Sequence, residues 1–389
     1  IDKLDRRLIQ LQIEREAVKK ETDEVFDSSS DTLAAFVRQR GLPSVLDFGF
    51  QVDALQYAGG DGDAGNLLYI LNHDDKYTTA TRNAYNLVSF LGNHDMGRVG
   101  YLLGKNGATS STLLASDLFA HDLMFLNRGT PTVYYGDEVG MIGSGGDRAA
   151  REDMFPSLNV EWQREARVTG GAIGTKSSLT DTTNPILVHI KQLNALRAKY
   201  PALANGAEIV RGADGPILVA SRIDATDRRE FVVGFNNADT AKTLTVKVAT
   251  PSSTFAPVWG DTGTVSSDAS GTITVTVPAR SSVVLRADNQ LPAATTAVKP
   301  VLRAAIDTSS KLINLSATLA TTDPATVSFA VKIGSAKTWT FIGADDAASY
   351  RLFWEYRSQK KGTSIQFAAI SKTTSGAIAV SDVKVIKVP

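Results

Sequence analysis

Apolar residues change their spacing several times along this chain, and each change marks a different kind of element. In residues 1–24, Ile1, Leu4, Leu8, Leu11 and Val18 follow a three-and-four spacing broken at Arg15, which predicts a coiled-coil-like helix. From residue 25 to 204 the pattern alternates between helix and strand. A helix is predicted over 31–41, with Asp31 as N-cap and Gly41 as C-terminal stop. A strand is expected at 44–51, a Gly-Asp loop at 59–66, and at least a helical turn at 67–71. Two further short apolar runs, 87–91 and 132–135, read as buried strands on either side of a helix near 116–127. A helix over 186–203, with apolar Ile186, Ile190, Leu193 and Leu196, closes the segment at Tyr200-Pro201.

Beyond residue 205 the texture is Thr, Val, Ala and Ser in period-two alternation. Short strands at 217–221, 230–235, 244–248, 272–277 and 282–285 predict a β-sandwich over 205–288. The Ala-, Thr- and Pro-rich stretch 289–299 reads as a linker, and 300–389 as a second sandwich, of immunoglobulin or fibronectin type. Its aromatics, Trp339, Phe341, Tyr350, Phe353, Trp354 and Tyr356, are expected mainly in its core.

Composition narrows the function classes. The 389 residues are 43% hydrophobic and 21% charged, an ordinary globular balance. Forty-one basic residues against forty-one acidic ones leave no net charge, which argues against a nucleic-acid partner. No apolar run approaches the roughly 20 residues of a membrane span. With no cysteine, disulfides, thiolate catalysis and sulfur-bound metals are excluded. The chain opens at Ile1 inside a helical pattern, as expected of a fragment or fusion without its signal peptide.

The chemistry concentrates where the strands stop. Residues 87–91 run into Gly92-Asn93-His94-Asp95, and Gly129-Thr130-Pro131 leads into 132–135 and Gly136-Asp137-Glu138. These motifs resemble the seventh and eighth strands of the α-amylase-type (β/α)₈ glycoside hydrolases, glycoside hydrolase family 13. The resemblance covers residues 24–287 and implies a multidomain protein: the last strands of a (β/α)₈ TIM barrel over 25–204, the family's β-sandwich over 205–288, and an appended β-sandwich over 300–389. It implies retaining hydrolysis of α-glucosidic bonds in starch-like glucans, with an α-glucan or maltooligosaccharide as partner and extracellular action in a bacterium. A retaining glycosidase needs two carboxyl groups about 5 to 5.5 Å apart, one attacking while the other protonates the leaving oxygen. By resemblance Asp95 is the third carboxylate of the family, steadying the oxocarbenium-like transition state, with Asn93 and His94 as sugar ligands.

Glu24, in Glu24-Val25-Phe26-Asp27, stands where the family places its general acid, although Asp23 replaces the usual Gly and a charged helix replaces the strand before it. Residues 1–24 themselves are similar to the middle-domain coiled coil of ClpB-type disaggregases. The two resemblances meet at Glu24, so a hybrid chain is expected, with self-association through 1–24 as a further expectation. The Gly-Phe-Arg-x-Asp-type motif that carries the family's nucleophile does not occur, and neither do the third-strand Asn-His motif and the calcium-site segment; an inactive chain with no assigned cofactor follows. Asp61-Gly62-Asp63-Ala64-Gly65-Asn66 lacks the ligand pattern of a calcium loop and reads as a solvated acidic turn. His73, His121 and His189 have no metal-site spacing. Two other readings stand beside the hydrolase: a non-catalytic carbohydrate-binding or structural β-module, and a chaperone-type coiled-coil fragment on a carrier.

Overall fold

The structure, a computed structural model, describes residues 25–154, 159–173 and 181–389. The coiled-coil-like helix expected at 1–24, and Glu24 with it, lie outside these residues.

Among the described residues the first helix spans Ser30–Arg40, and Ser29 caps it where Asp31 was expected to; Asp31 sits in the first turn, near the positive end of the helix dipole. Gly41 ends it in the left-handed conformation. The strand expected at 44–51 is a correction. Only Leu46 bridges to Val88, and the chain then turns into the helix Phe48–Gly59. Asp47 starts that helix by accepting from the Phe50 N–H at 3.2 Å. Alternating Leu46, Phe48 and Phe50 imitate a strand, yet Phe48, Gln51, Ala54, Leu55 and Ala58 keep a helical stripe that is buried. Asp63 is likewise a helix cap, accepting from Gly65 N at 2.7 Å at the start of Ala64–Leu71.

Strand β1, Val88–Phe90, pairs in parallel with β2, Thr130–Thr132, in the register Val88 to Thr130. Helices Val99–Lys105 and Leu113–Leu126 form the crossover between them, and Pro185–Lys199 follows. These helices share one core with the next sheet: Phe50, Leu103, Phe119, Leu123 and Leu193 pack with Leu218, Phe231 and Phe235. The joint is also polar. The Tyr57 hydroxyl donates to Pro216 O at 2.6 Å, and Asn237 Nδ2 donates to Tyr57 O at 2.9 Å.

That sheet contains β3 (Ala207–Asp214), β4 (Ile217–Ile223), β5 (Glu230–Asn236), β7 (Thr254–Trp259), β8 (Val265–Ser266) and β10 (Ser281–Ala287), in the order β3-β4-β5-β10-β7-β8. It faces the pair β6 (Lys242–Lys247) and β9 (Thr272–Val277) across Val219, Val232, Val246, Val275 and Val283. After 289–299, β11 (Val301–Asp307), β12 (Leu312–Thr318) and β15 (Tyr350–Glu355) make one sheet. β13 (Thr326–Ile333), β14 (Thr340–Asp345), β16 (Ser364–Lys372), β17 (Ile378–Val380) and β18 (Lys384–Lys387) make the other. Their shared core holds Leu315, Val327, Phe329, Leu352, Phe367, Tyr350 and Tyr356, with Trp354 edge-on to Phe367 at 5.6 Å. Trp339 and Phe341 are exposed, so the aromatics of this unit divide between core and surface.

Candidate active site

β1 ends at Phe90, and Gly92 lets the chain double back so closely that a Cβ there would lie 2.7 Å from Gly97 O. The turn is closed by reciprocal bonds between Asn93 and Gly97, each N–H donating to the other's carbonyl at 3.1 Å. Asn93 Oδ1 accepts from Asp95 N at 2.9 Å and from Met96 N at 2.8 Å. Its carbonyl oxygen is therefore spent on the turn and projects the next two side chains outward. His94 and Asp95 are half-exposed, with His94 Nε2 3.4 Å from Asp95 Oδ2.

Asp95 Oδ1 accepts from Arg151 Nη2 at 2.9 Å, and Arg151 also reaches Asp147 Oδ1 at 3.1 Å. Backbone ties bring these segments together, since Asp147 N donates to Asp95 O at 3.2 Å. Arg151 holds one carboxylate oxygen of Asp95 and leaves Oδ2 toward His94 and solvent.

Beneath the turn Arg98 is fully buried. Its Nε donates to Glu152 Oε2 at 3.0 Å, its Nη2 to Glu152 O at 3.3 Å and its Nη1 to Tyr135 O at 2.6 Å; Asp137 Oδ1 lies 3.6 Å away. Tyr134 and Tyr135 stack on the guanidinium at 5.1 Å each. One side chain thus ties the Asn93–Gly97 turn to the segment that follows β2. Burial pushes the Asp137 carboxyl up to about 8, with Arg98 pulling the other way. Burial, then a hydrogen bond and repulsion from Glu152, raises Glu165 to about 8.

Of the residues singled out from the sequence, Asn93, His94 and Asp95 share one turn at the end of a parallel strand, and Glu24 lies outside the described residues. Sequence reasoning missed Arg151, Asp147, Arg98 and Glu152. The Gly143-Ser144-Gly145-Gly146-Asp147 run was the available signal, because a Gly-rich stretch after a strand end lets backbone approach a neighbouring loop. The other three histidines are each engaged elsewhere: His121 lies 3.1 Å from Asp117 and His73 bonds Tyr69 O at 2.6 Å within their own helical turns, and His189 bonds Asp122 of a neighbouring helix at 2.7 Å. Among the described residues no three His, Asp or Glu side chains are gathered to hold a metal ion. No helix among them is long and apolar enough to cross a membrane.

A carboxylate held by an arginine and flanked by an imidazole at an open strand end can accept hydroxyl hydrogens and oppose developing positive charge. Comparison with known proteins places the chain itself in a family. The α-amylase catalytic-domain model matches residues 12–206, beginning inside the segment read as a coiled coil. An α-amylase of Streptomyces lividans is 38% identical over 358 residues, which is 91% of this chain and 39% of that protein. Among solved structures, the α-amylase of Geobacillus thermoleovorans in complex with acarbose superposes with a TM-score of 0.51 at 17% identity, over 68% of this chain and 52% of that one. The gamma-CGTase of alkalophilic Bacillus clarkii gives 0.52 at 15% identity, over 94% and 62%. The two superpositions bear on the fold, catalytic portion and β-rich C-terminal portions alike. The chain spans well under half the length of the Streptomyces relative. With half of its residues matched by the catalytic-domain model, the chain belongs to the α-amylase family.

Proposed function

We propose that this chain supplies the strand-seven and strand-eight side of an α-amylase-type active site, acting on α-glucans or maltooligosaccharides. Leu46, β1 and β2 would be the last strands of the (β/α)₈ barrel. Asp95 would accept sugar hydroxyls and oppose the positive charge of the oxocarbenium-like transition state, His94 would bind a hydroxyl beside it, and Glu24 would be the acid by descent. The observation that carries the reading is the Asn93–Asp95 turn itself: a parallel strand ends in a half-exposed carboxylate whose far oxygen Arg151 fixes. The acarbose complex of the Geobacillus relative fits a glucan-like ligand.

Double displacement also needs a nucleophile, and the family's Gly-Phe-Arg-x-Asp-type motif is not in these 389 residues. We therefore infer that this polypeptide binds glucan without cleaving it, and that the complete activity belongs to an extracellular enzyme. The test is reducing-sugar release from maltooligosaccharides, expected at the buffer blank. Release that disappears in Asp95→Asn would mean that the chain carries its own nucleophile.

A further inference from the structure

Eight of the thirteen large apolar side chains exposed among the described residues fall within 301–389, and half of those eight share one face of one sheet. Alternate residues of a strand, and directly opposed residues of paired strands, lie on the same face. Along β16, Ile365, Phe367 and Ala369 pack into the core, so Gln366, Ala368, Ile370 and Lys372 point outward. Val380 stands opposite Ile370, Ile378 opposite Lys372 and Val385 opposite Gln366. On the other side Ala368 opposes Ala330, and Ala330 opposes Phe341. Ile378 is 59% exposed and Val385 61%. The outward face of an antiparallel sheet is ordinarily polar. A continuous apolar face rimmed by charge marks an interaction surface instead.

Charge selects the partner. Residues 301–389 hold eleven Lys and Arg against six Asp and Glu, a net charge of +5 in a chain whose total is zero. Two of the six acids, Asp323 and Asp345, are buried. On the apolar face Lys372 stands at one end, and Lys332 and Lys387 at the other, opposite Gln366 and Ser364. The lysines in ion pairs among the described residues are Lys76 and Lys299, not these three; Lys299 holds Asp382, in the link between β17 and β18, at 2.8 Å. Trp339 is exposed beside them, with Lys332 Nζ 5.0 Å from its ring centroid. A second copy of this unit would set +5 against +5, which repels. Aliphatic groups in the middle, lysines at both ends and a tryptophan at the margin match an anionic bilayer, where apolar groups meet the acyl boundary and Lys and Trp sit at the headgroups.

We propose that this face docks on an anionic phospholipid bilayer, with Phe341, Ile378, Val380 and Val385 against the acyl boundary and Lys332, Lys372 and Lys387 among the headgroups. Such contact is peripheral and asks for no spanning segment. It uses neither Asp95 nor the glucan function proposed above.

The test is co-sedimentation of the full chain with vesicles of phosphatidylglycerol and, separately, of phosphatidylcholine. Binding is expected to phosphatidylglycerol, weaker by about tenfold or more to phosphatidylcholine, and reduced by added salt. Ile378→Ser and Val385→Ser together change only exposed positions and should weaken binding by about tenfold or more. Lys372→Gln and Lys387→Gln should each weaken it about fivefold. Tryptophan fluorescence should shift to the blue on phosphatidylglycerol vesicles, and Trp339→Phe should abolish the shift. No sedimentation with phosphatidylglycerol would overturn the proposal, and so would sedimentation that the double serine variant leaves unchanged, since charge alone would then explain it. Equally tight binding to polyglutamate, lost in the serine variant, would assign the face to an acidic protein. A dimer in sedimentation equilibrium that the same variant dissolves would assign it to a second copy. Either result would overturn the bilayer.

Discussion

Arg98 and Glu152 form a closed ion pair, Nε to Oε2 at 3.0 Å, in which neither side chain reaches solvent. The pair joins the turn that carries Asp95 to the segment that carries Arg151, so the geometry of the candidate site depends on a contact that the site's ligand would never touch. Desolvating both charges is costly, and the geometry repays it only while every member is present.

Removing the cation should therefore be severe. Arg98→Met keeps most of the volume of the side chain but leaves Glu152 uncompensated, and a loss of about 3–5 kcal/mol is expected. Urea unfolding of the full chain measures it; a loss under about 1 kcal/mol would show that solvent reaches the cage.

The same cage sets a pH dependence. Burial lifts Asp137 from its usual 3.8 to about 8, and Glu165 reaches about 8 from 4.5. Both folded values exceed the unfolded ones, so the folded state binds more protons between them. The associated stability is complete below about pH 4 and is lost as pH rises through about 8. The melting temperature should fall between pH 5 and 9, and Asp137→Asn should flatten that slope. A melting temperature that rises over this window in the parent chain would mean the carboxyls are ionised from the start.

A second buried charge tests the middle β-sheet independently. Glu230 is fully buried; its Oε1 accepts from Arg211 Nη2 at 2.7 Å and its Oε2 from Thr250 N at 2.8 Å. Glu230→Ala strips four donors, on Arg211, Ser221 and Thr250, of their acceptor and opens a void, so about 3–5 kcal/mol should be lost. Glu230→Gln, which keeps the shape, should cost clearly less in the same denaturant experiment. Equal losses would assign the effect to charge alone.

Much of this architecture was legible because local signals agreed with one another. Gly41, the Tyr200-Pro201 stop and the period-two runs at 217–221, 230–235 and 272–277 all name their elements correctly. The strand reading of 44–51 failed because Val45, Leu46, Phe48 and Phe50 satisfy both periods, and the deciding fact was the Asp47 side chain bonding Phe50 N. Strands β3 and β7 were not anticipated: β3 carries Glu208, Arg211 and Asp214, whose polarity hides a ladder held by the neighbouring β4. The Asn93–Asp95 turn stood out because three polar residues follow an apolar run. Arg98, three residues further on, did not, since an arginine in sequence gives no sign that it is wholly buried.

The last prediction concerns how β1 is held in register, because that register aims Asp95. Gly129 precedes β2 with φ of 102°, and a Cβ there would lie 2.2 Å from Ser89 Oγ and 3.1 Å from Leu87 O. Two costs would meet in Gly129→Ala: a backbone conformation that L-residues avoid, about 1–2 kcal/mol, and overpacking against β1, about 1–3 kcal/mol. The sum, about 2–5 kcal/mol, can be divided by a double-mutant cycle. Ser89→Ala deletes the hydroxyl that clashes but also gives up its bond to Arg128 O at 3.2 Å, so alone it should be mildly destabilising. In combination it should recover the steric part of the Gly129→Ala loss and leave the backbone part, which makes the two changes non-additive. Strict additivity would mean that Ser89 and Gly129 do not touch, and that the parallel pairing of Val88 with Thr130 is held by something other than this close approach.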